Sequence, residues 1–187
     1  MIVSGLPRSG TSMAMKMLAA GGLPLITDGE RTADEDNPKG YFEDERVKDL
    51  GRMADKSWLK AARGQGIKVI SHLLKNLPPD NNYQVLFIRR DMMEVLASQA
   101  KMLDRRGENS ETEDQRMTEL FEADLWRALY QLKRGAHFDW TELHYRDVLA
   151  NAQAQAKRIC EFLGADLDVA KMAEVVDPAL WRNRAAD

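Results

Sequence analysis

Eight residues constrain this chain more than any others: Gly5-Leu6-Pro7-Arg8-Ser9-Gly10-Thr11-Ser12, set between the apolar pair Ile2-Val3 and a run with helical spacing. A glycine-bounded turn that leaves a strand and enters a helix aims successive backbone N–H groups at one point. The helix N-terminus adds partial positive charge there. Such a turn is built to hold a phosphate or a similar anion, and it requires a short buried strand in front of it. The same residues could act merely as a Gly–Ser turn that caps a helix. The coincidence of strand, loop, cation and helix favours anion binding.

The rest of the chain supplies the elements such a loop needs. Residues 1–4 read as a strand and 11–20 as a helix, with Met13, Met17 and Ala20 on one stripe, Ala14 and Leu18 beside it, and Gly21-Gly22 as the stop. Residues 28–44 are polar, contain Gly29, Pro38 and Gly40, and read as a long loop. Further strands are expected over 67–71, 85–88 and 140–145, and helices from Asp91 to Leu103, over 115–134 and over 151–163 before Gly164. Asp91 and Glu94 have the spacing of a capping box. Residues 105–114 are charged and loop-like. Alternating strands and helices predict a three-layer α/β sandwich with a mostly parallel sheet.

Composition narrows the function. With 187 residues, 44% of them hydrophobic and 30% charged, the chain can bury one core, so residues 1–187 are expected to form a single domain. A net charge of −3 provides no general field for nucleic acid, so an anion site has to be built locally. The single cysteine, Cys160, excludes an internal disulfide and reads as a buried thiol. No apolar stretch approaches the ~20 residues of a membrane span, and the first residues lack a signal-peptide pattern. A cytoplasmic protein without a membrane or nucleic-acid partner is expected.

The loop has the spacing of the ATPase phosphate loop, Gly-x-x-x-x-Gly-Lys-Ser/Thr, except that Thr11 stands where that loop has its lysine. The cation lies inside the loop instead, at Arg8, which disfavours ordinary ATP chemistry. Pro7-Arg8-Ser9-Gly10-Thr11-Ser12 resembles the 5′-phosphosulfate loop of sulfotransferases that use 3′-phosphoadenosine 5′-phosphosulfate (PAPS). The resemblance implies a phosphate-loop NTPase-like fold with PAPS as the sulfuryl donor. It places Arg8 by the bridging oxygen and the other loop residues around the 5′-phosphate. Phe87-Ile88-Arg89-Arg90-Asp91 followed by Ser98 is similar to that family's second element, an arginine at a strand end and a serine eight residues later, which imply a 3′-phosphate clasp. Independently, arginine offers a planar fork of donors suited to phosphate, and a serine two turns into the helix can face the same pocket. Read alone, Arg89, Arg90 and Ser98 would pass as ordinary surface and helix residues.

Two further segments carry the resemblance: Asn37-Pro38-Lys39-Gly40-Tyr41-Phe42-Glu43, and the stretch from Leu143-His144-Tyr145-Arg146-Asp147 to Phe162-Leu163-Gly164, with Arg146 where glutamate is usual. The Arg-Lys-Gly-x-x-Gly loop of the cytosolic branch has no counterpart. Arg182 and Arg184 either replace it or belong to a solvated tail. Transfer to an acceptor needs a proton-accepting group, and two candidates stand open. His72 follows the 67–71 strand and resembles the histidine of the family's Lys-Thr-His, with Ile70 in the lysine position. Glu43 lies in the polar loop expected to border the acceptor. No ligand spacing for a metal is visible. Beside an active sulfotransferase with a small-molecule or glycan acceptor stand two alternatives: a nucleotide-binding protein without transfer chemistry, and a small-molecule kinase.

Overall fold

The computed structural model describes residues 1–30, 40–105, 107 and 114–181. Its centre is a sheet with strands β1 (Ile2–Gly5), β2 (Ile67–Lys68), β3 (Tyr83–Arg89) and β4 (Phe138–His144). Their order is β2-β1-β3-β4 and every pairing is parallel, with Ile2 opposite both Ile67 and Val85, and Tyr83 opposite Phe138. A parallel sheet is covered on both faces, so its central strands are apolar throughout instead of alternating. Strand β3 shows this: Val85, Leu86, Phe87 and Ile88 are all buried.

Alternate residues divide between two cores. Ile2, Val85 and Phe87 pack with Val69, Leu73, Leu74, Ala128 and Leu132 on one face. Val3, Leu86, Ile88 and Leu143 pack with Ala14, Met15, Met17, Leu18, Ile159 and Met172 on the other. The first face is covered by helix α5 (Asp114–Arg134) and the 3-10 helix Ser71–Asn76, the second by α1 (Thr11–Ala20), α7 (Ala152–Leu163) and α8 (Val169–Glu174). The expected α/β arrangement with helices on both sides is therefore present. Short helices α2 (Glu45–Lys48), α3 (Trp58–Ala61) and α6 (Tyr145–Ala150) complete the described order, together with α4 (Met92–Arg105).

Several boundaries differ from the sequence reading. Strand β2 ends at Lys68, because Ser71 already opens a 3-10 helix, so His72 lies in that helix and not at a strand end. Strand β4 runs from Phe138, and Tyr145 begins α6. Met15 is fully buried in α1 and Met13 only partly, so the buried stripe is Ala14, Met15, Met17 and Leu18. Met93, on the first turn of α4, is exposed. Cys160 is half-buried, with its sulfur 3.9 Å from the Leu167 carbonyl and from the Met172 sulfur.

The strand order has one consequence for function. After β1 the chain moves outward to β2 on one side, then returns to place β3 on the other side of β1. That reversal opens a crevice beyond the carboxyl ends of β1 and β3, where ligands of open α/β sheets bind. The 5–12 loop leaves β1 there, and Arg89-Arg90 leaves β3.

Candidate functional site

The loop after β1 is shaped for close approach. Gly5 and Gly10 take φ of 151° and 105°, and Arg8 itself is left-handed at 66°, a conformation that costs a non-glycine residue energy. A Cβ on Gly10 would lie 2.6 Å from Tyr145 Cδ2, and one on Gly5 would lie 2.6 Å from Ser9 Oγ and 2.7 Å from the Ile88 carbonyl. Both glycines are therefore fixed by space as well as by backbone angle. Gly10 caps α1 with no side-chain hydrogen bond, and the first turn of the helix holds no acidic residue. Its first amides have no partner within their own helix. The Ser9 hydroxyl is buried without a hydrogen-bond partner among the described residues. Such a group is costly unless something else satisfies it, and a phosphate oxygen is a suitable acceptor. Thr11 is buried, Ser12 and Pro7 are half-buried, and Ser12 Oγ donates to the Tyr41 carbonyl at 3.3 Å.

The two expected anchors meet. Arg8 Nε donates to Ser98 Oγ at 3.0 Å, joining the β1 loop to α4. Arg90 Nη1 donates to the Arg8 carbonyl at 3.1 Å, so the arginine after β3 holds the loop at its strained residue. Arg89 instead points to β4, where it pairs with Glu142 at 2.9 Å. Arg90, which has the eight-residue spacing to Ser98, thus lies at the loop, whereas Arg89 lies against β4. Arg90 also stacks over the Tyr145 ring at 4.4 Å, and burial pushes the Tyr145 phenol above its ordinary pKa, opposed by Arg90 and reinforced by Glu94 and Asp177.

Beneath Arg90 lies a carboxylate whose role the sequence reading missed. Asp91 Oδ1 accepts from the amides of Met93 and Glu94 at 2.9 and 3.2 Å, so the capping half of the expected box is present. The Glu94 side chain, however, turns inward and is fully buried, pairing with Arg90 at 2.9 Å and Arg146 at 3.1 Å. The spacing of Arg90 and Glu94, four apart at a helix start, was the available signal.

A second buried pair adjoins the loop. Lys68 Nζ donates to Glu43 Oε1 at 2.8 Å and to the Tyr41 carbonyl, the same carbonyl that receives Ser12. Lys68 was also missed, although a lysine inside the apolar run Ile67-Lys68-Val69-Ile70 was its sign. Glu43 is thereby fixed within two shared contacts of the loop. His72 is exposed in the 3-10 helix after β2 and takes no part in the hydrogen bonds described for Arg8, Arg90, Glu43 or Ser98.

Asn37, Pro38 and Lys39 fall outside the described residues, as do Arg182 and Arg184, which leaves their expected parts unaddressed. Asp28, Glu30 and Glu45 bring carboxylate oxygens within 4.8 Å of one another at the surface, a grouping that sequence spacing did not reveal. Asp28 accepts from the amides of Glu30 and Glu45 at 3.0 and 2.6 Å, bonds that lower its pKa and close the loop. No helix among the described residues is long and apolar enough to cross a membrane.

A parallel sheet with a glycine-bounded loop and a second arginine at its switch point is the architecture of phosphate-binding α/β domains. The sequence model of the sulfotransferase family matches residues 56–169, more than half of the chain, and the chain belongs to that family. The matched stretch includes Arg90 and Ser98 and begins after the β1 loop. Among solved structures, the chain is similar to a sulfotransferase from Alicyclobacillus acidocaldarius, at 14% identity and a TM-score of 0.52, covering 96% of this chain and 86% of that one. At that identity the likeness shows a shared fold. No curated protein sequence matches the chain.

Proposed function

We propose that this chain is a PAPS-dependent sulfotransferase acting in the cytoplasm on a hydroxyl or amine of a small-molecule or glycan acceptor. The observation that carries this reading is the 3.0 Å contact between Arg8 and Ser98, which unites a phosphate-loop cation with the expected 3′-phosphate clasp. The orphaned Ser9 hydroxyl and the two space-limited glycines suit a phosphate in the loop. A kinase reading has less support, because Thr11 is buried where the phosphate-binding lysine would stand.

PAPS supplies an activated sulfuryl group whose S–O bond to the 5′-phosphate breaks as the acceptor's bond to sulfur forms, leaving adenosine 3′,5′-bisphosphate. Ser9, Gly10, Thr11 and Ser12, with Pro7 shaping the turn, bind the 5′-phosphate through amides and hydroxyls. Arg90 and Ser98 bind the 3′-phosphate. Arg8 faces the charge that grows on the leaving phosphate oxygen, and a donor that strengthens as charge develops lowers the barrier. Glu43 accepts the acceptor's proton. It is preferred to His72 because Lys68 holds its carboxylate beside Tyr41 and Ser12, whereas His72 stands exposed.

Calorimetric titration tests the donor assignment. Adenosine 3′,5′-bisphosphate and PAPS should bind more tightly than ATP. ATP binding as tightly as either would remove the basis for a 3′-phosphate clasp and favour a general nucleotide-binding protein.

A further inference from the structure

One enclosed carboxylate receives hydrogen bonds from three side chains, Arg90 four residues before it and two from distant parts of the chain. Glu94 Oε2 accepts from Arg90 Nε at 2.9 Å and from the Trp181 indole Nε1 at 2.9 Å. Its Oε1 accepts from Arg146 Nε at 3.3 Å and Nη2 at 3.1 Å. The Glu94 side chain is 0% exposed and that of Arg90 only 7%. An ionised carboxylate in such a place is strongly unfavourable unless its lone pairs are used, and here both oxygens are engaged. Arg146 also lies over the Trp181 ring, 5.6 Å from its centroid.

The bonds form a continuous series. Trp181 follows the 3-10 turn Pro178–Leu180 and holds Glu94. Glu94 holds Arg90, Arg90 holds the Arg8 carbonyl, and Arg8 reaches Ser98. The Arg90 guanidinium is held at its Nε edge by Glu94 and lies over the Tyr145 ring. An arginine fixed in this way loses less freedom on meeting a phosphate than one free to rotate. The indole N–H shares the oxygen that Arg90 uses. Losing it removes one of the donors that fix this oxygen, so Arg90 is held less firmly.

We propose that Glu94 is a positioning residue that fixes Arg90 for a 3′-phosphate, and that Trp181 makes recognition of this phosphate depend on the C-terminal turn Pro178–Leu180 that precedes it. The inference rests on the donor assignment made above. It assigns Glu94 and Trp181 no contact with the nucleotide.

The test compares dissociation constants for adenosine 3′,5′-bisphosphate and adenosine 5′-monophosphate in the full chain and in Glu94→Gln and Trp181→Phe, each checked by a melting curve. The parent should favour the bisphosphate by about tenfold or more, as expected for charge-assisted contacts to one added phosphate. Both variants should lose most of this preference, while monophosphate affinity changes by less than about twofold. If both folded variants keep the preference, or lose affinity for the two nucleotides in parallel, the positioning role is overturned and Glu94 is merely structural. If Glu94→Gln does not fold, Trp181→Phe decides, because phenylalanine keeps an aromatic ring by Arg146 and lacks the N–H, and the melting curve reports any loss of packing from the smaller ring. Loss in Glu94→Gln with full preference in Trp181→Phe supports the positioning of Arg90 and overturns the C-terminal dependence. A parent that does not distinguish the nucleotides is a separate result, which overturns the donor assignment itself.

Discussion

Replacing Lys68 by methionine removes a buried charge while keeping most of the side-chain volume. The Lys68 side chain is 6% exposed and that of Glu43 18%, with 2.8 Å between the charged atoms. Deleting one member of a buried pair costs about 3–5 kcal/mol, because the other charge is left without compensation. Water can reach Glu43 in part, which sets the expected loss near the lower bound, about 3 kcal/mol. For a chain of this length that corresponds to a fall of roughly 6–12 °C in melting temperature. Glu43→Gln leaves the ammonium its contact with the Tyr41 carbonyl but strands the more deeply buried charge, and should cost a similar amount, about 3 kcal/mol. The double variant should be less destabilised than the sum, with a coupling of about 1–3 kcal/mol in urea unfolding. Transfer activity should fall in both single variants, most in Glu43→Gln, which removes the carboxylate proposed to accept the proton. A Lys68→Met protein that melts within about 2 °C of the parent, or single-variant losses that simply add, would refute the view that this pair fixes Glu43 beside the loop.

Other substitutions address the loop itself. Arg8→Ala should reduce turnover by about 10²–10³-fold with little change in melting temperature, and Arg8→Lys should retain activity; near-parental turnover in a folded alanine variant would show that the charge is not catalytic. Gly10→Ala should destabilise by about 1–3 kcal/mol and weaken nucleotide binding, because its Cβ meets Tyr145 at 2.6 Å. Gly22→Ala, with φ of 94° but nothing within 4 Å, should show only the backbone cost of roughly 1–2 kcal/mol and normal binding. Equal binding defects in the two would discount the close approach. Burial raises the Tyr145 pKa in the folded state, so its stabilising contribution is complete below the unfolded value of about 10 and is lost as pH rises through the folded one. Tyr145→Phe should therefore lose less stability than the parent between pH values of about 9 and 11 in urea unfolding; parallel losses would show that the phenol is not the group responsible.

What could be read in advance, and what could not, follows from how each residue is held. The strand β3 was legible as an unbroken apolar run, and α1 as a helix between a glycine loop and Gly21-Gly22, because local chemistry specifies both. Arg90 was separable from Arg89 only through the family resemblance, which supplies the eight-residue spacing to Ser98; both arginines precede α4, so helix periodicity does not distinguish them. Helices α2, α3 and α8 were not legible: they span only four to six residues, too few for a periodic pattern, and packing holds them. Lys68 was hidden because a strand alternates faces, and nothing local says that Glu43 will lie opposite. Glu94 was read as part of a cap, for that is all its neighbours in sequence can show. Its partners Arg146 and Trp181 come from the far side of the chain. Tyr145 was placed at the end of a strand, whereas its ring is what bounds Gly10.

The pairing of β1 also bears on how the molecule comes to be folded. Ile2 has no strand neighbours until Ile67 and Val85 are available, since both of its partners lie far downstream. During synthesis the first strand therefore waits, apolar and unpaired, while much of the chain emerges. Long-range parallel pairing of this kind is slow, since chain closure must precede the contacts that reward it. The 5–12 loop, held by Arg90 at the Arg8 carbonyl, can take its shape only once β3 has docked beside β1. If the loop holds the proposed donor, its recognition is a late event of folding, and nascent chains that stop short of β3 should not bind nucleotide.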